Sequence, residues 1–416
     1  MRLLADTRPL RTNPVFRRLW IGTSLSTLGG QLGSFAIVFH VWETTGSPAA
    51  VGTISIAIAL PLVLSALVGG SLADTMDRRR LALLTTIGQI AVSLVIVALL
   101  LSGAAALWAM FGLVAAGSAL SAVGGPVRRA LIPRLLPAGQ VPAGLALNHV
   151  SFQAAMLGGP ALAGLITAYW GVTACVALDA LTFFAALYGL LGLPVMRPDG
   201  PPTAPGARGV WQAARFVART PAVGGAFLCD LLATTLAMPI ALFPVVNGER
   251  FGGAPQTLGL FVTALGVGGL VASAGSGSVT RSRHPGRMLL AAGTVWGAAL
   301  AGVGFAHSLV VALLLVAAAG AADTIAVIAR GTIVQLGTPD AYRGRVSAME
   351  HVVGAAGPHL GNVRAGLVAG LSSVGVAFVT GGALCVLALG AVAALVPSLR
   401  RLDLAASAPA PARTPA

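Results

Sequence analysis

GGSLADTMDRRR, residues Gly69 to Arg80, ends one long apolar run (51–73) and leads into the next (81–101). It places three arginines in a row between two stretches that have almost no charge. The chain contains no lysine, so all 26 of its basic residues are arginine. Twenty-four of them fall in the tails, in every second gap between apolar runs, or at the run residue that borders one (Arg18, Arg330); the exceptions are Arg250 and Arg364. The other gaps are short and nearly free of positive charge. Proteins that cross a bilayer repeatedly keep arginine in their cytoplasmic loops. The pattern therefore predicts a chain threaded many times through a membrane, with both termini in the cytoplasm.

Composition agrees. The chain is 56% hydrophobic and 9% charged, with a mean hydropathy of +0.88. A soluble protein carries roughly 25% charged residues. One core cannot absorb this much apolar sequence, so the excess faces lipid. The net charge of +14 reads as topology signals and contacts to anionic headgroups. Nucleic acid is excluded because the arginines are scattered over short loops and form no contiguous face. Cys175, Cys229 and Cys385 stand singly in apolar runs, so no disulfide or metal spacing arises. The polar, basic stretch Met1 to Arg18 leads into an apolar run too long for a cleaved signal peptide. The arginine-only, Ala/Gly/Pro-rich composition points to a high-GC bacterial source and hence to the cytoplasmic membrane.

A spanning helix needs about 20 mostly apolar residues. Twelve runs qualify: 18–42, 51–73, 81–101, 105–127, 145–169, 172–195, 221–246, 257–279, 288–306, 309–330, 346–370 and 373–397. The expected organisation is a cytoplasmic tail (1–17), a six-helix bundle (18–196), a cytoplasmic linker (197–220), a second six-helix bundle (221–397) and a cytoplasmic tail (398–416). Within the linker, Val210 to Arg219 has helical spacing and reads as a helix on the membrane surface. The halves resemble each other. Gly69 to Arg80 matches GSGSVTRSRHPGR (Gly275 to Arg287), and MLGGPALAG (Met156 to Gly164) matches GAAGPHLGN (Gly354 to Asn362). Arginine ends the fourth span (Arg128, Arg129) and the tenth (Arg330). The fold class is all-α, with two pseudo-symmetric six-helix bundles. Transporters built from such repeats bind their cargo near the midplane between the halves.

These stretches resemble the major facilitator superfamily. Gly70 to Arg80 is similar to its loop 2–3 signature, with Asp77 where the family usually has glycine. GGPALAG is similar to the fifth-helix antiporter motif of proton-coupled exporters, with Ala163 replacing one glycine. Three stretches resemble the enterobactin-exporter and macrolide-efflux branch: NPVFRRLWIGTSLSTLGGQLGSFA (Asn13 to Ala36), GPVRRALIPRLLP (Gly125 to Pro137) and TPDAYRGRVSAM (Thr338 to Met349). The resemblance implies the major facilitator fold and export of an organic small molecule.

It also implies a cytoplasmic gate. Asp74 with Arg78, Arg79 and Arg80, together with Arg129, would lock one half; Glu350 with Arg343 and Arg345 would mirror it in the other. Solvated topology charges are the alternative. Gly158, Gly159, Pro160 and Gly164 would form the antiporter motif, either as a pivot or as ordinary small-residue packing. Asp230 and Asp323 are the deepest carboxylates of the second half, and ionisable groups inside a membrane are functional candidates. Burial disfavours a charged carboxyl group in general, so a buried one can exchange protons. The resemblance places both on cavity-lining helices. His149 and His359 titrate in the right range to join them. Asp179, in a peripheral helix, reads as structural. Gln31, Phe35, Phe111, Phe152 and Met238 are candidates to line a greasy cavity, where aromatic and Met side chains suit amphipathic cargo. Arg364, inside a span, needs a carboxylate, an aqueous cavity or an anionic substrate.

No phosphate-cradling GxxxxGK[ST] loop is present, which excludes ATP as this chain's own energy source. No nucleophile–base or HExxH constellation appears either. The expectation is a monomeric secondary transporter, not an enzyme, without cofactor or metal. It would export a drug-like amphipath or a siderophore in exchange for protons, with only protons, membrane lipids and its cargo as partners. An importer, a lysophospholipid flippase and a non-transporting membrane sensor are the alternatives.

Overall fold

The computed structural model describes residues 6–196, 207–238, 240–275 and 282–403; side chains within 66–75 and 207–210, and eight positions between 340 and 355, lie outside the described set. The described residues form helices and no strand. α1 (Pro14–Thr45), α2 (Pro48–Thr75), α3 (Arg78–Leu101) and α4 (Leu107–Leu135) come first. α5 (141–170) and α6 (172–191) are continuous except for Gly171, whose φ of 80° reverses the chain where a Cβ would be strained. The amphipathic α7 (Ala207–Arg219) precedes α8 (Pro221–Ala237), α9 (Phe243–Arg250), α10 (Pro255–Ala274), α11 (Pro285–Phe305), α12 (Leu309–Gly337), α13 (Asp340–Leu371) and α14 (Val374–Leu395). Nine described stretches are long and apolar enough to cross a bilayer, one of them the 54-residue Ala138–Leu191 that holds α5 and α6. α1 and α13, 32 residues each and richer in polar groups, complete the twelve crossings. α8 and α9 form the seventh between them.

Local sequence sets the ends. Asn13 caps α1 by accepting from the Phe16 N–H at 2.9 Å, and its Nδ2 donates to the Leu135 carbonyl at 2.6 Å. Pro14 follows at the first helical position, where its missing N–H costs nothing. Gly46 closes α1 with φ 56°, its N–H returning to the Trp42 carbonyl. Asp77 is instructive. Its φ of −58° is open to any residue, so the usual glycine is not required. Its carboxylate caps α3 through the Arg80 N–H at 2.8 Å and accepts from the Met196 N–H at 2.7 Å. The Arg78 N–H donates to the Met196 carbonyl at 3.1 Å, and Arg79 Nη2 to the Leu191 carbonyl at 2.9 Å. The α2–α3 turn thus clasps the chain just after α6. Asp77→Ala removes both bonds of the carboxylate and should cost about 1–2 kcal/mol. Thermal unfolding in detergent checks this: an unchanged midpoint would mean the clasp contributes nothing.

By packing, the chain divides into two units. The first is Met1–Ala204 with Pro239–Thr263 and Asn362–Val374; the second is Pro205–Met238, Ala264–Gly361 and Gly375–Ala416. In the first, small residues let α1 lie against α6. A Cβ at Gly22 would stand 2.9 Å from the Ala186 Cα, and one at Gly189 2.8 Å from the Arg18 carbonyl oxygen. Its core at the N-terminal end joins Leu19, Leu81, Val127, Leu131, Leu190 and Met196 from four helices and the segment after α6. At the opposite end, Val41, Val51, Ile54 and Ala241 form a second cluster.

That opposite end is closed by close backbone contact. A Cβ at Gly366 would stand 2.6 Å from both the Gly52 Cα and the Pro48 carbonyl oxygen. One at Gly248 would meet Trp42 Nε1 at 2.8 Å. Asn362 Oδ1 accepts from the Ala241 N–H at 3.1 Å. The segments 239–263 and 362–374 therefore belong by packing with α1 and α2, although they lie in the second half of the sequence.

In the second unit, Gly268 of α10 rests on the Ala317 backbone and Gly320 of α12 on that of Leu265. Such crossings suit a bilayer, where lipid gives no hydrophobic drive and close van der Waals contact must hold helices together. α7 buries Ala213 and Val217 against α8, α12 and α13, and Phe216 stacks on Tyr342 at 4.9 Å. Its other face exposes Trp211, Arg215 and Arg219, as an interfacial helix does. Leu60, Leu64, Leu181, Leu314 and Leu387 are exposed along the spans, where lipid covers them.

Candidate functional site

Two carboxylates of the second unit converge on Arg330. It is buried toward the C-terminal end of α12 and forms an ion pair with Asp230 of α8. Its Nε donates to Glu350 Oε1 of α13 at 3.3 Å. All three side chains are mostly withdrawn from solvent, at 9%, 15% and 24% exposure. Buried charge of this kind survives only when paired. Two turns along α12 stands Asp323, the central residue of that 29-residue helix. Asp230 and Asp323 line one small cavity with Thr234, Trp296 and Leu389. Asp323 nevertheless keeps an exposed face. A carboxylate halfway along a spanning helix is costly against lipid, so that face suits water better than hydrocarbon.

The arrangement corrects several expectations. Arg330, which the sequence offers only as the mark closing the tenth span, is the hub of the network. Glu350 was expected to pair with Arg343 and Arg345. Among the described side chains it pairs with Arg330, because α12 and α13 bring the two together within the bundle. Arg345 donates to Gln212 Oε1 of α7 at 2.7 Å, and the Arg343 side chain lies outside the described residues. Asp230 is held by Arg330 in a space lined by α8, α11, α12 and α14.

The antiporter-like stretch of α5 packs on two neighbours. A Cβ at Gly159 would stand 2.6 Å from Gln31 Cβ of α1, and one at Gly164 2.6 Å from the Pro255 carbonyl oxygen. Gly259 of α10 approaches the Pro160 carbonyl in the same way, at 2.7 Å. Gly158 has open space around it. Ala163 is fully buried, and its carbonyl faces Cys175 Sγ of α6 at 3.5 Å. That position needs a small residue, not glycine.

The other candidates separate. Arg129, His149 and Phe152 line one pocket beside α1. Gln31 Nε2 lies 3.0 Å from Met156 Sδ. Phe35 is buried and stacks on Phe39 at 6.3 Å. Phe111 likewise packs on the cluster of Val41, Val51 and Ile54, because α4 begins at that closed end. Met238 lies against Gly361. His359 is half-buried with Nδ1 lacking a partner, and Arg364 is half-buried and partnered. The Asp74 side chain lies outside the described residues. Asp179 is buried, accepts from Ser93 Oγ at 3.1 Å, and shares a cavity of about 300 Å³ with Gln89 and Ser121 inside the first unit. Among the described residues no cluster has metal-ligand spacing.

Comparison with known proteins follows this architecture. The chain is 29% identical over 394 residues to the multidrug efflux pump Tap of Mycolicibacterium fortuitum, covering 91% of this chain and 94% of that one. It is 26% identical over 383 residues to the enterobactin exporter EntS of Citrobacter koseri, with 91% of each covered. Among solved structures it shares the fold of a POT family transporter bound to 5-aminolevulinic acid, with a TM-score of 0.73, 14% identity and coverage of 94% and 97%. A bacterial homologue of the iron transporter ferroportin gives a TM-score of 0.70, 14% identity and coverage of 93% and 99%. Residues 5–415 match the family of transmembrane secretion effectors. A polytopic helical chain matched over nearly all its length in this way is a membrane transporter and not an enzyme, and it belongs to the transmembrane secretion effector family of the major facilitator superfamily.

Proposed function

We propose that this chain exports an amphipathic organic small molecule across the bacterial cytoplasmic membrane by proton antiport with alternating access. Full-length kinship with Tap and EntS supports export. The observation that carries the coupling mechanism is Asp323, an exposed carboxylate at the middle of a spanning helix, beside the Asp230–Arg330–Glu350 network. Protonation of Asp323 would change its interaction with Asp230, which shares its cavity. Arg330 would respond through its two carboxylate partners. A proton bound more tightly in one conformation than the other biases the equilibrium between them by that difference.

In this reading the termini and α7 are cytoplasmic. The closed end at Gly52 and Gly366 is then the extracytoplasmic gate. Arg78, Arg79 and Arg80 belong to the cytoplasmic side of the first bundle, where Arg79 already holds the chain after α6. The transporter acts as a monomer, and protons and lipids are its only other partners.

The test uses purified protein in liposomes that contain a pH-sensitive dye, under an imposed proton gradient. Efflux substrates are added to wild type, Asp323→Asn and Asp230→Asn. Asp323→Asn should abolish substrate-evoked proton movement while substrate binding persists. Substrate flux without proton movement, unchanged in both variants, would refute antiport and leave a uniporter or flippase.

A further inference from the structure

The two halves use equivalent arginines differently. α4 and α12 are both 29 residues long. Arg128 stands 21 residues after Leu107, and Arg330 stands 21 residues after Leu309. Glu350 follows Arg330 by 20 residues, and Asn148 follows Arg128 by 20. Asp230 lies nine residues after Pro221, which opens α8; Thr23 lies nine residues after Pro14, which opens α1. The repeat therefore keeps the arginine and replaces both of its carboxylate partners, Asp230 by Thr23 and Glu350 by Asn148.

The structure brings those replacements together. Thr23, Arg128 and Asn148 line one pocket of about 460 Å³ in the first unit, with Arg129, Trp20 and Phe152. None of the described lining residues is acidic. Among the described residues, Arg128 donates to Thr86 Oγ1 at 3.5 Å, a long contact for a guanidinium with five N–H donors. The Trp20 indole N–H is withdrawn from solvent and has no partner among the described residues. Gly124 gives the arginine room: a Cβ there would stand 3.0 Å from Arg128 Nη1. The second unit fills the corresponding place with its own carboxylates, while the described lining of the first sets cationic donors beside an aromatic wall. A pocket of this size suits a drug-sized ligand.

We propose that this pocket binds the anionic group of an amphipathic ligand, with Arg128 and Arg129 taking a carboxylate or phosphate and Trp20 and Phe152 taking the apolar part. Arginine suits this role because its fork of donors matches planar oxyanions. The proposal deepens the export reading and rests on it for the idea that such a ligand is cargo. An anionic phospholipid headgroup carries the same chemistry and is the other source of the ligand.

The probe is 1-pyrenebutyrate, followed in detergent by energy transfer from tryptophan to pyrene. Its cationic counterpart is 1-pyrenylmethyl-trimethylammonium. Wild type should bind the anion at least about tenfold more tightly than the cation, tenfold being 1.4 kcal/mol. Asn148→Glu restores the carboxylate found in the second half and should weaken the anion about tenfold, with the cation unaffected. Arg129→Gln, at an exposed position, should weaken it similarly without disturbing folding. Equal affinity for the two probes, or an anion affinity unmoved by Asn148→Glu and Arg129→Gln, would overturn the proposal.

Two further arms separate the sources. If dihexanoyl phosphatidylglycerol, but not the phosphatidylcholine analogue, displaces the probe and the variants keep full substrate flux, the pocket holds a lipid headgroup. If neither lipid displaces it and the variants lose flux of the anionic probe, the pocket holds cargo. Selective anion binding by a protein that transports nothing sinks the export reading and leaves the pocket standing. Export of cations without anion binding does the reverse.

Discussion

Arg330→Gln should be the most damaging single substitution in the second half. It leaves Asp230 and Glu350 facing each other without their shared cation, and Asp323 lies beside the first of them. Removing one partner from a buried ion pair costs about 3–5 kcal/mol, because the remaining charge stays desolvated and uncompensated. A marked fall in the melting midpoint in detergent and loss of proton-coupled flux are expected. The rescue separates charge from shape. Asp230→Asn and Glu350→Gln added to Arg330→Gln remove the stranded charges and should recover most of the stability. They should not recover proton coupling. If the single variant melts like wild type, the arginine is not paired as described. If the triple variant melts no better than the single one, packing and not charge carries the loss.

This network shows where reading the sequence stops. The number of spans was legible because each crossing must hide about 20 residues from water, and arginine marks the loops between them. The chain reversal at Gly171 was legible as a gap between runs, and α7 as helical spacing in the linker. Asp230 and Asp323 stood out because carboxylates are rare in spans. Arg330 did not, because an arginine near the end of a run looks the same whether it signals topology or meets two acids. Its partners lie on α8 and α13, and helix packing, not periodicity, brings them within reach. The seven-residue interval from Asp323 was the available clue, since it places both on one face of α12. The packing of Phe35 on Phe39 and of Phe111 on Val41, Val51 and Ile54 was hidden for the same reason: aromatic spacing does not say which face of a helix meets its neighbours. The grouping of 239–263 and 362–374 with the first helices had no signal in hydropathy. It depends on glycines that read as ordinary membrane-helix residues until the backbones touch.

Those glycines set the second large effect. Gly366→Val, or Gly52→Val, should slow transport about tenfold or more while leaving the chain folded and inserted. The two residues lie where α2 meets the 362–374 segment, and a Cβ on either would stand 2.6–2.8 Å from the other's Cα. No side-chain rotation relieves a clash with backbone. Overpacking of this sort costs about 1–3 kcal/mol, and the cost falls on the closed arrangement alone. If that closure is one of the two states of the transport cycle, its population drops roughly 5- to 150-fold, at 1.4 kcal/mol per tenfold. A position without neighbours supplies the control: Gly390 has nothing within 4 Å, so Gly390→Ala should transport normally. The state itself can be read chemically. Val51 is fully buried in this closed end, and the three native cysteines are buried too. Val51→Cys should therefore react slowly with a membrane-impermeant maleimide added outside, and faster when Gly366→Val is present. Slowed flux with unchanged labelling would mean that the valine obstructs the path without opening the closure. Normal flux in both valine variants would mean that this end does not have to close in the cycle, and that the gate lies elsewhere.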